Sequence, residues 1–319
     1  MKKIILMSLI CCMTAVANAK ILRVNNTAGS SAPYTSFSDA YAVAEDGDTI
    51  LFDGSTTSYG DIVLDKKLAI LGHGYMLEAN NVSELNECGA FFGNISIETE
   101  GCVVQGVEAS NIRIRANNIV VTRCYAGSIG NGGGFTGYYS GVFSGVVIHQ
   151  NFVLYKISGM YTSTGQHFTN SQITNNIVVT GNYGESLIDG IENSVIEYNT
   201  IINKSYLNEV NTAHAIKAEA SMVKNNLIFS TNSLEGSENE FSDNLVGPYT
   251  FKFTDISNDA SIIADLTEYT EQGCGAFAGT DPYVISGQPA GPMIESIDMP
   301  TTVEQGKTME VTVKIRIRK

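Results

Sequence analysis

Beyond its first nineteen positions the sequence contains no uninterrupted apolar run of 18 or more residues, so no transmembrane helix is expected. Basic residues are scarce: 19 stand against 33 acidic ones, giving a formal charge of −14. A field of that sign repels nucleic acid, and polyanionic glycans too unless a cation bridges them. Cysteine is sparse as well. Only Cys88, Cys102, Cys124 and Cys274 follow the first nineteen residues, and none has the short paired spacing of a zinc site. Helical periodicity is almost absent after residue 45. What remains is short β-branched clusters punctuated by Asn, Gly, Ser and Asp, the texture of an all-β solenoid or barrel.

The N-terminus reads MKKIILMSLICCMTAVANA. Two lysines, an apolar stretch and the small-x-small Ala17-Asn18-Ala19 make residues 1–19 a secretory signal cleaved before Lys20. A lipoprotein signal ending at Cys11 or Cys12 is the rival, but Leu9 and Ile10 stand where that signal wants small residues. Without Lys2 and Lys3, 17 basic residues face 33 acidic ones, a formal charge of −16. The mature chain is therefore expected to be secreted or held at the cell surface.

Residues 93–126 divide into two 17-residue units, GNISIETEGCVVQGVEA and SNIRIRANNIVVTRCYA. Ile95 falls on Ile112, Ile97 on Ile114, Val103 on Val120 and Val104 on Val121. DIVLDKKLAILGHG, from Asp61, extends the series backwards after one gap, with Leu64 over Ile97 and Gly72 over Gly106. Forwards, the units lengthen to about 23–27 residues and share the register of SGVVIHQNFV, NSQITNNIVV, NSVIEYNTII and ASMVKNNLIF. That register stacks Ile148, Ile173, Ile196 and Val223, and it stacks Asn151, Asn176, Asn199 and Asn226 as a ladder at one corner. A coil of this length with an asparagine corner suits a right-handed parallel β-helix, in which each strand pairs with its equivalent one coil away and the ladder satisfies backbone groups at the turn.

The hexapeptide NNIVVT occurs twice, at 117–122 and 175–180. The register places the copies differently: Val121 lies in the lumen before a corner, whereas Asn176 is itself a corner residue. Asn176 is expected in the ladder and Asn118 outside it. Cys102 aligns with Ile119, and Cys124 with Val107 at a corner. Residues in different columns on successive coils do not form a disulfide, so both are expected to be buried free thiols.

With these coils in hand, residues 20–290 resemble the pectate-lyase-like β-helix superfamily. SFSDAYAVAEDGDTILF fits the capping helix expected at the open N-terminal end. Ser36 and Asp39 form a capping-box-like pair, Phe37, Ala40, Tyr41 and Ala44 lie on one face, and GDTI would begin the first full coil. GCGAFAGTDPYVISGQP looks like the Gly-rich closing segment of secreted bacterial proteins of this kind. Residues 291–319 form a separate appendage. TMEVTVKIRIRK alternates from Met309 to Ile317, MIESIDMP supplies a partner strand, and the pair resembles the opening of an immunoglobulin-like module. The expectation is a hairpin docked on the solenoid or offered to a protein partner by strand addition, against a disordered remnant.

The chemistry-bearing candidates are few. The Gly72-His73-Gly74 triplet resembles the Gly-His-Gly of polygalacturonases, but the paired carboxylates that such hydrolysis needs are missing upstream, so His73 reads as a turn residue. Gly132-x-Gly134-x-x-Gly137 matches a dinucleotide fingerprint without its strand-turn-helix context. Phe135, Tyr138 and Tyr139, in the extra length between Cys124 and Asn151, are candidates for stacking on sugar rings. Asp65, Glu98 and Arg115 share one outward column. They are read either as cross-strand ion pairing or as the calcium and base positions of a lyase, with too few carboxylates for a calcium site. Asp189, His214 and Lys217 could serve as base and charge stabiliser if they share a face.

These observations favour a noncatalytic exported β-helix that binds carbohydrate or serves as an adhesion scaffold, without a cofactor. The alternative is a polysaccharide lyase, with calcium, or a glycoside hydrolase acting in the solenoid groove.

Overall fold

The computed structural model describes residues 19–79, 88–130, 141–159, 167–181, 186–204, 214–230, 234–247, 252–269, 273–288, 291–298, 300, 302, 306 and 308–318. The signal segment, the Gly132–Gly137 fingerprint and the Phe135, Tyr138 and Tyr139 group lie outside them. The described chain is a parallel β-helix, with long stacks of parallel strands in two sheets.

The first sheet has ten strands in order along the axis, from Ile21–Val24 through Thr49–Phe52 and Val103–Gln105 to Glu240–Ser242. From the third strand on, each of its strands is only three residues long. The middle residue faces the lumen: Val104, Val121, Ile148, Ile173, Ile196 and Val223 are all fully buried. Left-handed residues bracket these strands at a spacing of five: Gly101 and Gly106, Asn118 and Arg123, Gly145 and Gln150, Asn170 and Asn175, Asn193 and Tyr198, Ala220 and Asn225, Glu238 and Asp243. Positive φ lets the chain turn sharply into and out of the sheet. At Arg123, Gln150, Tyr198, Ala220 and Glu238, with neither glycine's freedom nor an Asn or Asp side chain, it costs about 1–2 kcal/mol apiece.

The residue after each left-handed position holds the corner. After the strand, the backbone N–H of Asn151 donates to Asn176 Oδ1 (3.0 Å), that of Asn176 to Asn199 (3.1 Å), that of Asn199 to Asn226 (2.9 Å) and that of Asn226 to Asn244 (3.0 Å). Cys124 N–H starts the series by donating to Asn151 Oδ1 (2.9 Å). Before the strand a second ladder runs through Val146 N–H to Ser171 Oγ, Ser171 to Ser194, Ser194 to Ser221, and Ser221 to Asn239 Oδ1. Each side chain replaces the water that a buried N–H would otherwise lose.

The second sheet has fourteen strands and forks. Its stem starts at the short strand Ile62–Leu64 and continues in long ones, Phe91–Ile97, Glu108–Ile114, Tyr125–Gly130 and Phe152–Ser158. One branch continues from Phe152 and Val153 into Ile177–Thr180, Thr200–Asn203, Leu227–Phe229 and Leu245–Val246. The other continues from Ile157 and Ser158 into Ile188–Glu192, Ile216–Glu219 and Leu234–Glu235. The paired residues 95 and 112, 97 and 114, 103 and 120, and 104 and 121 match the 17-residue alignment, as does Leu64 against Ile97.

Three features depart from the sequence expectation. The first coil begins before GDTI: Ile21–Val24 pairs with Thr49–Phe52, so the capping helix α1 (Phe37–Val43) is inserted after a strand. Ser36 caps it, accepting from Asp39 N–H at 3.2 Å, and Ala40 is buried against the end of the lumen. Secondly, Asp259–Glu268 forms a helix, α2, capped by Asn258. Its Ile262, Ile263 and Leu266 are adjacent enough in sequence to read as another β cluster. They cover the outward side chains Ile177, Val179, Ile202, Leu227 and Phe229, so the first branch is buried on both faces.

Thirdly, the Gly-rich segment 273–288 closes no end. It runs back along the solenoid as a strap. Gly275 N–H donates to Asn225 O, Asn175 Nδ2 to Ala276 O and Ala278 O, Gln150 Nε2 to Pro282 O, and Arg123 Nη1 to Gln288 O. Tyr75 N–H donates to Ser286 O, and the Tyr75 and Tyr283 hydroxyls meet in a buried hydrogen bond. After the strap, Gly291–Asp298 and Thr312–Arg318 form an antiparallel two-stranded sheet.

Candidate functional site

Along the second branch one lumen column passes through Ile129, Ile157, Ile188, Ile216 and Leu234. Strand alternation turns the next residue of each strand outward, which brings Ser158, Asp189, Lys217 and Glu235 onto one face. Ser158 pairs directly with Asp189, and Lys217 with Glu235. Between Asp189 and Lys217 the register shifts by one residue, a bulge made at Gly190 with φ 64°. A bulge of this kind re-aims the side chain beside it.

Asp189, His214 and Lys217, residues predicted from the sequence, thus lie on one region of one face. The structure adds Glu235, which the sequence reading missed. Lys217 Nζ lies 3.4 Å from Glu235 Oε1, and His214 Nε2 lies 3.7 Å from Glu235 Oε2. His214 Nδ1 is buried without a hydrogen-bond partner. Lys217, His214 and Glu235 are each more than a third exposed, so the cluster opens to solvent. Donors and acceptors repeat here at the strand spacing of about 4.8 Å, a geometry suited to hydrogen bonding an extended polar chain.

Arg115 is not part of this group. It pairs with Glu98 at 3.1 Å, and its coil lies about 14 Å along the axis from Asp189 at ~4.8 Å per strand. Asp65 stacks in the same column as Glu98 and Arg115, but Tyr41 takes it up: the Tyr41 hydroxyl donates to the carboxylate and accepts from Asp65 N–H at 2.9 Å. Burial, with Asp65 beside it, pushes the Tyr41 hydroxyl up to about 12. This column is ordinary cross-strand and helix-anchoring polarity. Among the described residues no group of three or more His, Cys, Asp or Glu side chains could hold a metal ion.

His73 Nδ1 contacts Phe52 O at 2.9 Å, as a turn residue would. Cys102 and Cys124 are buried and free; burial pushes the Cys124 thiol up to about 12, which keeps it protonated at neutral pH. A second polar chain fastens the strap. His149 Nε2 lies 3.0 Å from Asp281 Oδ2, and His149 Nδ1 lies 2.8 Å from Thr174 Oγ1. Burial lowers the His149 pKa despite Asp281. Sequence spacing held no signal for a partner more than a hundred residues away.

No protein-family model, curated protein or solved structure matches the chain. The fold and the side-chain geometry therefore carry the functional argument alone.

Proposed function

We propose that the protein is an exported, noncatalytic β-helix of the pectate-lyase-like type that binds glycan at the cell surface along the face carrying Asp189, Lys217 and Glu235. The observation that carries this reading is the convergence of Lys217 and His214 on Glu235. A carboxylate already held by two basic groups is better suited to orienting hydroxyls than to taking a proton from substrate. Ladder-spaced polar groups on a rigid sheet offer a repeating ligand repeating contacts, without the cost of ordering loops. Export rests on residues 1–19 and is tested by N-terminal sequencing of the released chain, which should begin at Lys20.

A glycan array with the mature chain tests the binding reading. Saccharide binding that Lys217→Ala and Glu235→Gln both weaken supports it, and binding unaffected by either places the site elsewhere. The buried, unpartnered Nδ1 of His214 favours a second reading, a polysaccharide lyase or hydrolase acting at the same face. Incubating the protein with uronate-containing polymers, with and without calcium, separates the two. Release of unsaturated uronides, or of saturated fragments with new reducing ends, would replace the noncatalytic reading.

A further inference from the structure

The two ends of the solenoid are finished differently. At the N-terminal end α1 covers the lumen, and Ile50 and Phe52 beneath it are fully buried. At the other end three strands are the last in their stacks: Glu240–Ser242, Leu245–Val246 and Leu234–Glu235. Among the described residues no strand pairs with their free sides. Phe241 continues the lumen column of Val223, and Val246 that of Ile228. Val223 and Ile228 are fully buried, yet Phe241 is 43% exposed and Val246 38%. The core is thus open to solvent at an unpaired edge, the arrangement that templates strand addition.

The chain carries a segment with the matching chemistry. In Thr312–Arg318 apolar residues alternate with Lys314, Arg316 and Arg318, and there is no acidic residue. Val313 and Ile315 are 45% and 60% exposed. The last coil, residues 234–246, holds Glu235, Glu238, Glu240 and Asp243 and no basic residue. Charge and alternation therefore agree: every second residue of the terminal strand can enter the open lumen while its bases meet the acidic rim.

Position excludes the chain's own end. The strap brings Gln288 to Arg123, whose corner lies about 24 Å along the axis from that of Asp243, at ~4.8 Å per coil. A hairpin reaching its own open end would lie along the axis, across the edge strands instead of beside them. We infer that the open end is covered by the terminal hairpin of a second copy, so that each molecule offers two different surfaces to its neighbours. The open end and a hairpin rooted near mid-length of the solenoid make a heterologous contact, which propagates where the rotation does not close a ring.

Sedimentation of the mature chain over a range of concentrations tests this, with Phe241→Asp and the double variant Val313→Asp/Ile315→Asp as partners. All three sites are exposed, and circular dichroism checks that each variant keeps its strands. Wild type should gain mass with concentration, and each variant alone should remain a single chain. An equal mixture, in which each variant supplies the surface the other lacks, should stop at two chains. A wild type that stays a single chain throughout would overturn the inference, as would a mixture that fails to pair. Loss of assembly in Glu240→Lys, regained on mixing with Lys314→Glu, would support the charge contribution; assembly unchanged in Glu240→Lys would remove it.

Discussion

The early and late coils solve the same corner in different ways. Before Cys124 the corner residues are Gly72, Gly106 and Val107, and the backbones of adjacent coils come into contact directly. Gly72 N–H donates to Gln105 O (2.8 Å) and Gly74 N–H to Gly106 O (2.8 Å), and a Cβ added at Gly106 would lie 2.9 Å from Gly72 O. From Asn151 onward the corner is filled by a buried amide that reaches the next coil. The choice does not follow coil length, since the early coil that pairs Ala69 with Val103 is longer than any late one and still has no asparagine corner. In the late coils the asparagine and serine side chains satisfy the buried N–H groups at the corners and tie each coil to the next.

This contrast orders the expected effects of substitution. Asn199→Ala leaves the buried Asn176 N–H without its acceptor and removes the amide's bonds to Ile173 O and Asn226 Oδ1. It should cost about 3 kcal/mol in urea unfolding. In the early half the sensitive change is the opposite one, adding atoms. Gly72→Ala forces a methyl into the Gly106 carbonyl and should cost about 2 kcal/mol. An early half that tolerated alanine there would mean its corners are looser than this packing implies.

The strap crosses both halves, and its His149 clasp should respond to acid. Because burial lowers the folded pKa of His149 below its ordinary value of 6.5, the unfolded chain takes up the proton first. Stability from this site is full above pH 6.5 and declines as pH falls below it. Thermal melts of wild type and His149→Gln should differ less at pH 5 than at pH 7.5. A difference that grows on acidification would mean that the Asp281 ion pair outweighs burial.

Most of the solenoid was legible because its signals are periodic. The 17-residue unit fixed the pairing of Ile95 with Ile112, and the Asn register located four ladder positions. The serine ladder was visible in the recurring NS and AS pairs yet went unread, since serine is common in turns and only its coil-to-coil repetition distinguishes it. Helix α2 and the strap were illegible for another reason. Their burial depends on the outward faces of Ile177–Thr180, Thr200–Asn203 and Leu227–Phe229, contacts that local pattern does not encode. In the candidate site the same limit applied. Asp189 and Lys217 were found by their place in successive coils, but their final register depends on the Gly190 bulge, and Glu235 sits in a coil shorter than the long coils just before it.

The two copies of NNIVVT test the ladder account most directly. Val120–Thr122 belongs to the first sheet and Ile177–Thr180 to the second, so identical words occupy different walls of the same coil. Asn176 is fully buried and bonds to Ile148 O and Asn199 Oδ1, whereas Asn118 is a left-handed, exposed turn residue bonded to Glu100. The decisive measurement is the urea unfolding free energy of Asn176→Ala against Asn118→Ala. The ladder predicts that the first loses about 2 kcal/mol more than the second. Equal losses would contradict it.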